Sequence, residues 1–121
     1  VSDALPSDNL LLSIARSYMA MEDYDMASSY LKRCIDFSAD SKSVIVARFL
    51  LADLFRQTNN FQSAQEQYFI ILETSGENAE VRFQLGELYF LQRDTTRARA
   101  EWRLAYRYDP AHAGARARLN I

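Results

Sequence analysis

The chain contains few of the residues that interrupt helices or build reactive centres. Of its 121 residues only three are glycine and two are proline, so we expect mostly helical structure. A single cysteine, Cys34, excludes an internal disulfide, and a single histidine, His112, excludes a multi-histidine metal site. The sequence also lacks a glycine-rich phosphate loop and an apolar run of about 18 residues, which argues against a P-loop and a transmembrane helix.

No catalytic group can be proposed from what remains. Glu80 and Glu87 are two turns apart on a predicted helix, about 10.5 Å along its axis, and no other catalytic residue accompanies them. We interpret His112 as a surface residue and Cys34 as a small core residue. We therefore predict a protein that is not an enzyme and needs no metal and no cofactor.

Charge is unevenly distributed along the chain. The net charge is −2, but residues 1–91 contain 7 basic and 13 acidic residues, whereas residues 92–121 contain 7 basic and 3 acidic ones. Such asymmetry can orient a partner or a neighbouring domain. A basic ladder, Arg99, Arg103 and Arg107, could contact nucleic acid, but acidic residues interrupt it, so we interpret it as a solvated helix face and disfavour nucleic acid as a partner.

Three segments repeat one spacing. In each, a small residue is followed after three positions by an aromatic residue, after twelve by alanine, and after sixteen by a bulky apolar residue. These positions are Ala15, Tyr18, Ala27 and Leu31; Ala52, Phe55, Ala64 and Tyr68; and Gly86, Tyr89, Ala98 and Trp102. The second and third copies are 34 residues apart, a period typical of stacked repeat arrays.

The apolar spacing predicts pairs of helices. We expect helices at 8–21 and 24–37, 43–58 and 61–74, and 78–92 and 95–108, with Ser7 or Asp8 capping the first. Asp109-Pro110 looks like a cap followed by a first-turn proline, so a last helix should begin at about 110. The small residues should mark the points where the paired helices approach most closely.

The third segment resembles the tetratricopeptide repeat family most clearly. The matching residues are Leu85-Gly86, Tyr89, Ala98, Trp102, Ala105 and Asp109-Pro110, and the resemblance covers about residues 8–121. It departs at Ala39 and Gly76, where a closing proline is expected, and at Thr95. The resemblance implies an all-α, right-handed superhelical stack of three helix-turn-helix hairpins. The implied repeats are at about 8–41, 45–78 and 79–112. A lead-in at 1–7 precedes them, and a capping or truncated fourth-repeat helix follows at 110–121.

The resemblance also implies a concave groove that binds a partner's peptide or helix. The predicted groove residues are Asn9, Leu12, Ser13, Arg16, Met19, Val46, Phe49, Leu50, Asp53, Arg56, Glu80, Phe83, Gln84, Glu87, Phe90 and Leu91. Their mixture of apolar and acidic side chains predicts an amphipathic ligand with apolar anchors and basic residues. It disfavours the acidic chaperone tails that co-chaperones of this family bind. Alternatively, the aromatic residues pack against the lead-in, the next repeat or a second copy.

We therefore predict a protein–protein interaction scaffold or adaptor. A structural module for self-association, a homo-oligomer, is the alternative.

Overall fold

The computed structural model describes residues 7–121, and this part of the chain forms seven α-helices and no strand. They are α1 (Asp8–Ala20), α2 (Tyr24–Phe37), α3 (Ser41–Gln57), α4 (Phe61–Ser75), α5 (Ala79–Leu91), α6 (Thr95–Tyr108) and α7 (Ala113–Leu119). The all-α prediction is confirmed, and the first six helices begin and end within two residues of the predicted bounds. The predicted lead-in lies outside the described residues except for Ser7, which caps α1.

The chain divides into two compact units. The first extends to Thr58 and the second comprises Asn59–Ile121. In the first unit α1 and α2 form a hairpin, and α3 packs against both helices. In the second unit α5 and α6 form a hairpin, with α4 packed against α5 and α7 packed against α6. Each unit thus contains one complete hairpin, with one further helix packed on it in the first unit and two in the second, the arrangement expected of helical repeats.

The turn after the first helix of each pair has the same geometry. Glu22, Asn59 and Arg93 all have a left-handed backbone, with φ near 60°. In the α1–α2 and α5–α6 hairpins the next residue is an aspartate, Asp23 or Asp94, whose side chain accepts a hydrogen bond from the backbone N–H three residues later. This aspartate caps the second helix, so a short local motif both ends one helix and starts the next.

Small residues allow the paired helices to approach closely. Ala15 and Ala27 are completely buried in the core of the first unit. In the second unit a Cβ atom added to Gly86 would lie 3.0 Å from the carbonyl oxygen of Ala98 and 2.5 Å from the Trp102 ring. No side chain fits there, so a glycine at this position is required by packing.

The prediction that Asp109-Pro110 starts the last helix is wrong. The carbonyl of Asp109 accepts from the N–H of His112 at 3.0 Å, and its side chain accepts from the N–H of Ala111 at 3.1 Å. Those bonds close a tight turn that contains Pro110, so the aspartate stabilises a turn instead of capping a helix. His112 is the N-cap of α7, and its Nδ1 atom accepts from the N–H of Ala115 at 3.1 Å.

Candidate functional site

The first unit contains a cleft between α1 and α3, which we name the α1/α3 cleft. Its volume is about 470 Å³, and it is lined by Arg16, Met19, Ala20, Glu22, Tyr24, Leu50, Asp53 and Gln57. Four of these residues, Arg16, Met19, Leu50 and Asp53, are predicted groove residues that the fold brings together. The helical pairing explains this, because α1 and α3 are the first helices of successive predicted repeats.

The cleft combines apolar and polar side chains. Met19 and Leu50 pack partly against the core of the first unit. On the polar side, the carboxylate of Asp53 accepts hydrogen bonds from the guanidinium of Arg56 and, at 3.2 Å, from Nε2 of Gln57. The hydroxyl of Tyr24 donates to Oε1 of Gln57 at 2.9 Å. This network reduces the rotamer freedom of the polar side chains and so prepares a defined surface beside the apolar one.

One predicted groove residue of this unit belongs to the core. Leu12 is only 5% exposed and lies in one cluster with Leu11 and Leu51. Because α3 packs against α1, the side of α1 that carries Leu12 faces that cluster, and the residue is unavailable to a ligand. The other predicted residues stay accessible: Asn9, Ser13 and Arg16 are exposed, and Val46, Phe49 and Arg56 are half-buried.

In the second unit the predicted acidic groove residues contact α7. The carboxylate of Glu87 accepts two hydrogen bonds from Arg118, at 2.8 and 2.7 Å. Oε1 of Glu80 lies 3.1 Å from Nε2 of His112, whose side chain is only 14% exposed. His112, interpreted from the sequence as a surface residue, is half-buried, and both its ring nitrogens have partners. The pair of bonds between Arg118 and Glu87 joins two charged groups and belongs to the stronger class of hydrogen bond.

The predicted apolar residues on α5 differ in their surroundings. The Phe83 ring lies 4.9 Å from the His112 ring, and a Cβ atom on Gly114 would lie 2.7 Å from it, so Phe83 packs against α7. This is the alternative in which the aromatics contact the next repeat. Phe90 remains 41% exposed and Leu91 52% exposed, whereas Gln84 is half-buried.

Arg118 also covers aromatic rings. Its guanidinium carbon lies 4.6 Å from the centre of the Phe90 ring and 5.0 Å from that of Trp102. The two rings are themselves 5.7 Å apart. Cation–π attraction therefore adds to the ion pair with Glu87. The sequence shows Arg118 only as one of several arginines, and no local spacing indicates its pairing.

Arg82 on α5 forms a hydrogen-bonded ion pair with α6. Its guanidinium donates two hydrogen bonds to Glu77, both 2.9 Å long, and one to Glu101 at 3.1 Å. The hydrogen bond from Arg82 lowers the pKa of the Glu77 carboxyl, and the same bond, with that to Glu101, raises the pKa of Arg82. Sequence reasoning missed this residue because Glu77 and Arg82 are five residues apart, outside the usual helical pair spacing.

The basic ladder borders a second cleft, which we name the α6/α7 cleft. Its volume is about 320 Å³, and it is lined by Arg99, Arg103, Tyr106, Arg118, Leu119, Asn120 and Ile121. Arg99 and Arg103 are exposed, and neither has an ion-pair partner between residues 7 and 121. This surface therefore presents uncompensated positive charge to solvent.

Potential metal-ligating side chains do not cluster in the described part of the chain. Residues 7–121 contain no group of three or more histidine, cysteine or acidic side chains that could hold a metal ion. None of the helices described is both long and apolar enough to cross a membrane. Cys34 is buried, as predicted, and burial together with the negative charges of Asp8 and Asp40 raises the pKa of its thiol.

Comparison with known proteins agrees with the fold. Residues 9–41 match the family model of the tetratricopeptide repeat. The chain contains a tetratricopeptide repeat. The family resemblance predicted from the residue spacing is thereby confirmed. Such repeats generally mediate protein–protein interaction and typically act as non-catalytic scaffolds.

A solved structure, the crystal structure of MamA, resembles the chain with a TM-score of 0.73 and 17% sequence identity. The match covers 90% of this chain and 62% of MamA, so the chain spans less than two thirds of that protein's length. At this identity the likeness describes the fold alone. No curated protein matches the chain.

Proposed function

We propose that this chain is a non-catalytic adaptor that binds a segment of a partner protein in the α1/α3 cleft. The observation that carries the proposal is the convergence of Arg16, Met19, Leu50 and Asp53 on one cleft of about 470 Å³. Two of these residues lie on α1 and two on α3, the first helices of successive predicted repeats. A concave site with an apolar part and a few oriented polar groups is typical of a binding site.

The chemistry of the cleft defines the partner segment. Met19 and Leu50 suit one apolar anchor side chain, since both retain exposed surface beside the core. Arg16 and Glu22 line the cleft and have no ion-pair partner among residues 7–121, so they can meet an acidic and a basic ligand residue. Asp53 already accepts a hydrogen bond from Arg56. Glu22 is therefore the better partner for a basic group of the ligand.

A displayed library of random peptides, selected on the full chain, tests the proposal. Enriched peptides should contain an apolar anchor with a basic residue nearby. In fluorescence anisotropy titrations, Met19→Gln should weaken their binding by about tenfold or more, because truncating a central apolar contact typically costs over 1 kcal/mol.

Met21→Gln is the matched control. This methionine is two residues away, 65% exposed and outside the cleft, so its replacement should leave binding unchanged. Equal binding to wild type and to the Met19→Gln variant, with helicity retained, would refute the cleft as the binding site.

Self-association is the second candidate, and the charge distribution favours it. Residues 92–121 carry an excess of positive charge that includes the exposed Arg99 and Arg103, whereas residues 1–91 are acidic. The basic residues 92–121 of one copy should therefore attract the acidic residues of a second copy. Light scattering tests this: a dimer at low salt that dissociates with rising salt supports self-association, and a monomer at high concentration in low salt excludes it.

A further inference from the structure

The basic ladder on α6 is not neutralised by the acidic residues that interrupt it in the sequence. Those residues are Asp94, Glu101 and Asp109. Glu101 accepts a hydrogen bond from Arg82 on α5 at 3.1 Å, and its side chain is only 15% exposed. Asp94 caps α6, and the side chain of Asp109 stabilises the turn before α7. Among residues 7–121, none of these three carboxylates forms an ion pair with the ladder.

The ladder itself is exposed and carries unpaired charge. Arg99, Arg103 and Arg107 are all exposed, and none has an ion-pair partner among residues 7–121. They recur every four residues, so each lies about 6 Å further along one face of α6. Like charges at this spacing repel each other and destabilise a helix. The ladder therefore lowers the stability of α6, and folding alone does not account for it.

The other hairpins show that the repeat does not require these arginines. The second helix of each predicted hairpin contains a completely buried alanine, and Arg99 and Arg103 follow that of α6 after one and five positions. The equivalent residues are Ser28 and Lys32 on α2, and Gln65 and Phe69 on α4. Residues of quite different chemistry therefore occupy these positions without loss of the hairpin arrangement.

A cleft on α6 accompanies the ladder, and we name it the α6 cleft. Its volume is about 320 Å³, and it is lined by Thr95, Thr96, Arg99 and Arg103. All four residues are exposed, and their hydroxyl and guanidinium groups can donate hydrogen bonds. Arginine binds carboxylates through two parallel hydrogen bonds. A lining of donors without an acidic side chain is suited to an anionic ligand.

The extent of the positive charge favours a short ligand. The second unit contains eight basic and eight acidic residues, so its positive potential is local to the ladder. Nucleic-acid-binding domains usually have a net positive charge and a longer basic surface. In an extended peptide, side chains at alternate positions share one face and lie about 6.6 Å apart. That spacing is close to the rise of about 6 Å between successive arginines of the ladder.

We propose that this face of α6 is a docking surface for an extended acidic segment of a partner protein. Carboxylates at alternate positions of the segment bind Arg99, Arg103 and Arg107, and the hydroxyls of Thr95 and Thr96 donate further hydrogen bonds. The surface lies wholly on the second helix of a hairpin in the second unit. It uses no residue of the α1/α3 cleft, so it does not depend on the function proposed above.

Titration of a labelled acidic peptide into the full chain tests the proposal. The probe is a heptapeptide with blocked ends that has glutamate at its second, fourth and sixth positions and glycine elsewhere. In NMR spectra at low salt, the amide shifts should be confined to residues 95–107, and the affinity should fall as the salt concentration rises. A peptide of the same composition with adjacent glutamates should bind about threefold more weakly, because adjacent side chains of an extended chain point to opposite faces.

Charge reversal identifies the arginines responsible. Arg99→Glu combined with Arg103→Glu should weaken peptide binding by about tenfold or more, because two attractive contacts become repulsive. Lys32→Glu combined with Arg33→Glu is the matched control, since it changes the net charge equally at two exposed positions of α2. It should change the affinity by less than about twofold.

A milder variant keeps the test valid if charge reversal disturbs the fold. Arg99→Gln combined with Arg103→Gln removes both positive charges and adds no negative ones. It should give an intermediate loss of affinity, about threefold or more, with helicity retained.

Weaker binding by both α6 variants, with the α2 control and Met19→Gln unchanged, would support the surface whether or not the α1/α3 cleft binds a ligand. Equal affinity of all variants, or amide shifts outside α6, would overturn it. Tighter binding of a single-stranded oligonucleotide of equal charge at the same salt concentration would assign the surface to nucleic acid instead. A wild-type dimer in light scattering that the peptide dissociates would also overturn it, because the ligand would then be a second copy.

Discussion

Replacing Gly86 by alanine tests the closest helix approach in the second unit. The new Cβ atom would lie 2.5 Å from Cδ1 and Nε1 of Trp102 and 3.0 Å from the Ala98 carbonyl oxygen. The indole cannot easily move, because it is 5% exposed and packs against Phe90 and Arg118. Overpacking of this kind costs about 1–3 kcal/mol, and we expect the upper end of that range.

Helix propensity acts in the opposite direction. Alanine stabilises a helix interior over glycine by about 1 kcal/mol, so the net destabilisation by Gly86→Ala should be about 2 kcal/mol. For a chain of this size that corresponds to a fall in melting temperature of about 8 °C. Urea unfolding followed by circular dichroism measures the free energy directly.

The first hairpin indicates a second substitution that should relieve the clash of the Gly86→Ala variant. Its equivalent pair is Ala15 and Leu31, both completely buried, where the second unit has Gly86 and Trp102. Trp102→Leu should destabilise by about 3 kcal/mol through the cavity it creates. In that background Gly86→Ala should no longer clash and should become stabilising, by up to about 1 kcal/mol. Equal destabilisation in both backgrounds, or none in either, would refute the steric explanation.

Three further predictions follow from particular contacts. His112→Ala removes the acceptor of the Ala115 N–H and should destabilise α7 by about 0.5–2 kcal/mol, seen as faster hydrogen exchange of the α7 amides. Because Arg82 lowers the pKa of Glu77, that carboxylate stabilises the fold above the ordinary value of 4.5, and the effect disappears as the pH falls through the lower pKa of the folded state. Glu77→Gln should therefore cost no more than about 1 kcal/mol in urea unfolding at pH 7 and less at pH 2, since the pair is partly solvent-exposed. Cys34 should react with iodoacetamide at pH 8 only on the timescale of unfolding, because burial raises the pKa of its thiol and shields it.

Each of these predictions has a result that contradicts it. Unchanged exchange in α7 after His112→Ala would mean that the cap contributes nothing, and His112→Asn, which can still accept a hydrogen bond, serves as its control. If Glu77→Gln lowers the free energy of unfolding equally at pH 7 and pH 2, the charge of Glu77 does not contribute to stability. Rapid alkylation of Cys34 under native conditions would show that the core around it opens without global unfolding.

Local patterns predicted the secondary structure well. The turns at Glu22-Asp23 and Arg93-Asp94 depend on residues within one helical turn of each other, so the sequence carries the whole signal. At Asp109-Pro110 the local pattern gave the wrong start for the last helix, because residues outside the pattern decide the structure there. An aspartate before proline can cap a helix or close a turn, and the choice depends on His112, whose imidazole caps α7 while its other nitrogen contacts Glu80 on α5.

The candidate site was only partly predictable. Four residues that the family resemblance placed on the groove side of the first helices lie together in the α1/α3 cleft, because helical periodicity determines which residues share a face. The same periodicity placed Leu12 among the groove residues. It could not show that α3 packs over that part of α1 and buries the side chain.

The sequence by itself determined the first six helices, the turns between them and the resemblance to the tetratricopeptide repeat, because each of these follows from residues close together in the chain. Only the tertiary structure decided which charges are paired. Glu87 and Arg118 are 31 residues apart, and the sequence offers seven arginines after residue 91 as possible partners. The packing of α7 in the second unit selects one of them and, in doing so, occupies a surface that the sequence alone assigned to a ligand.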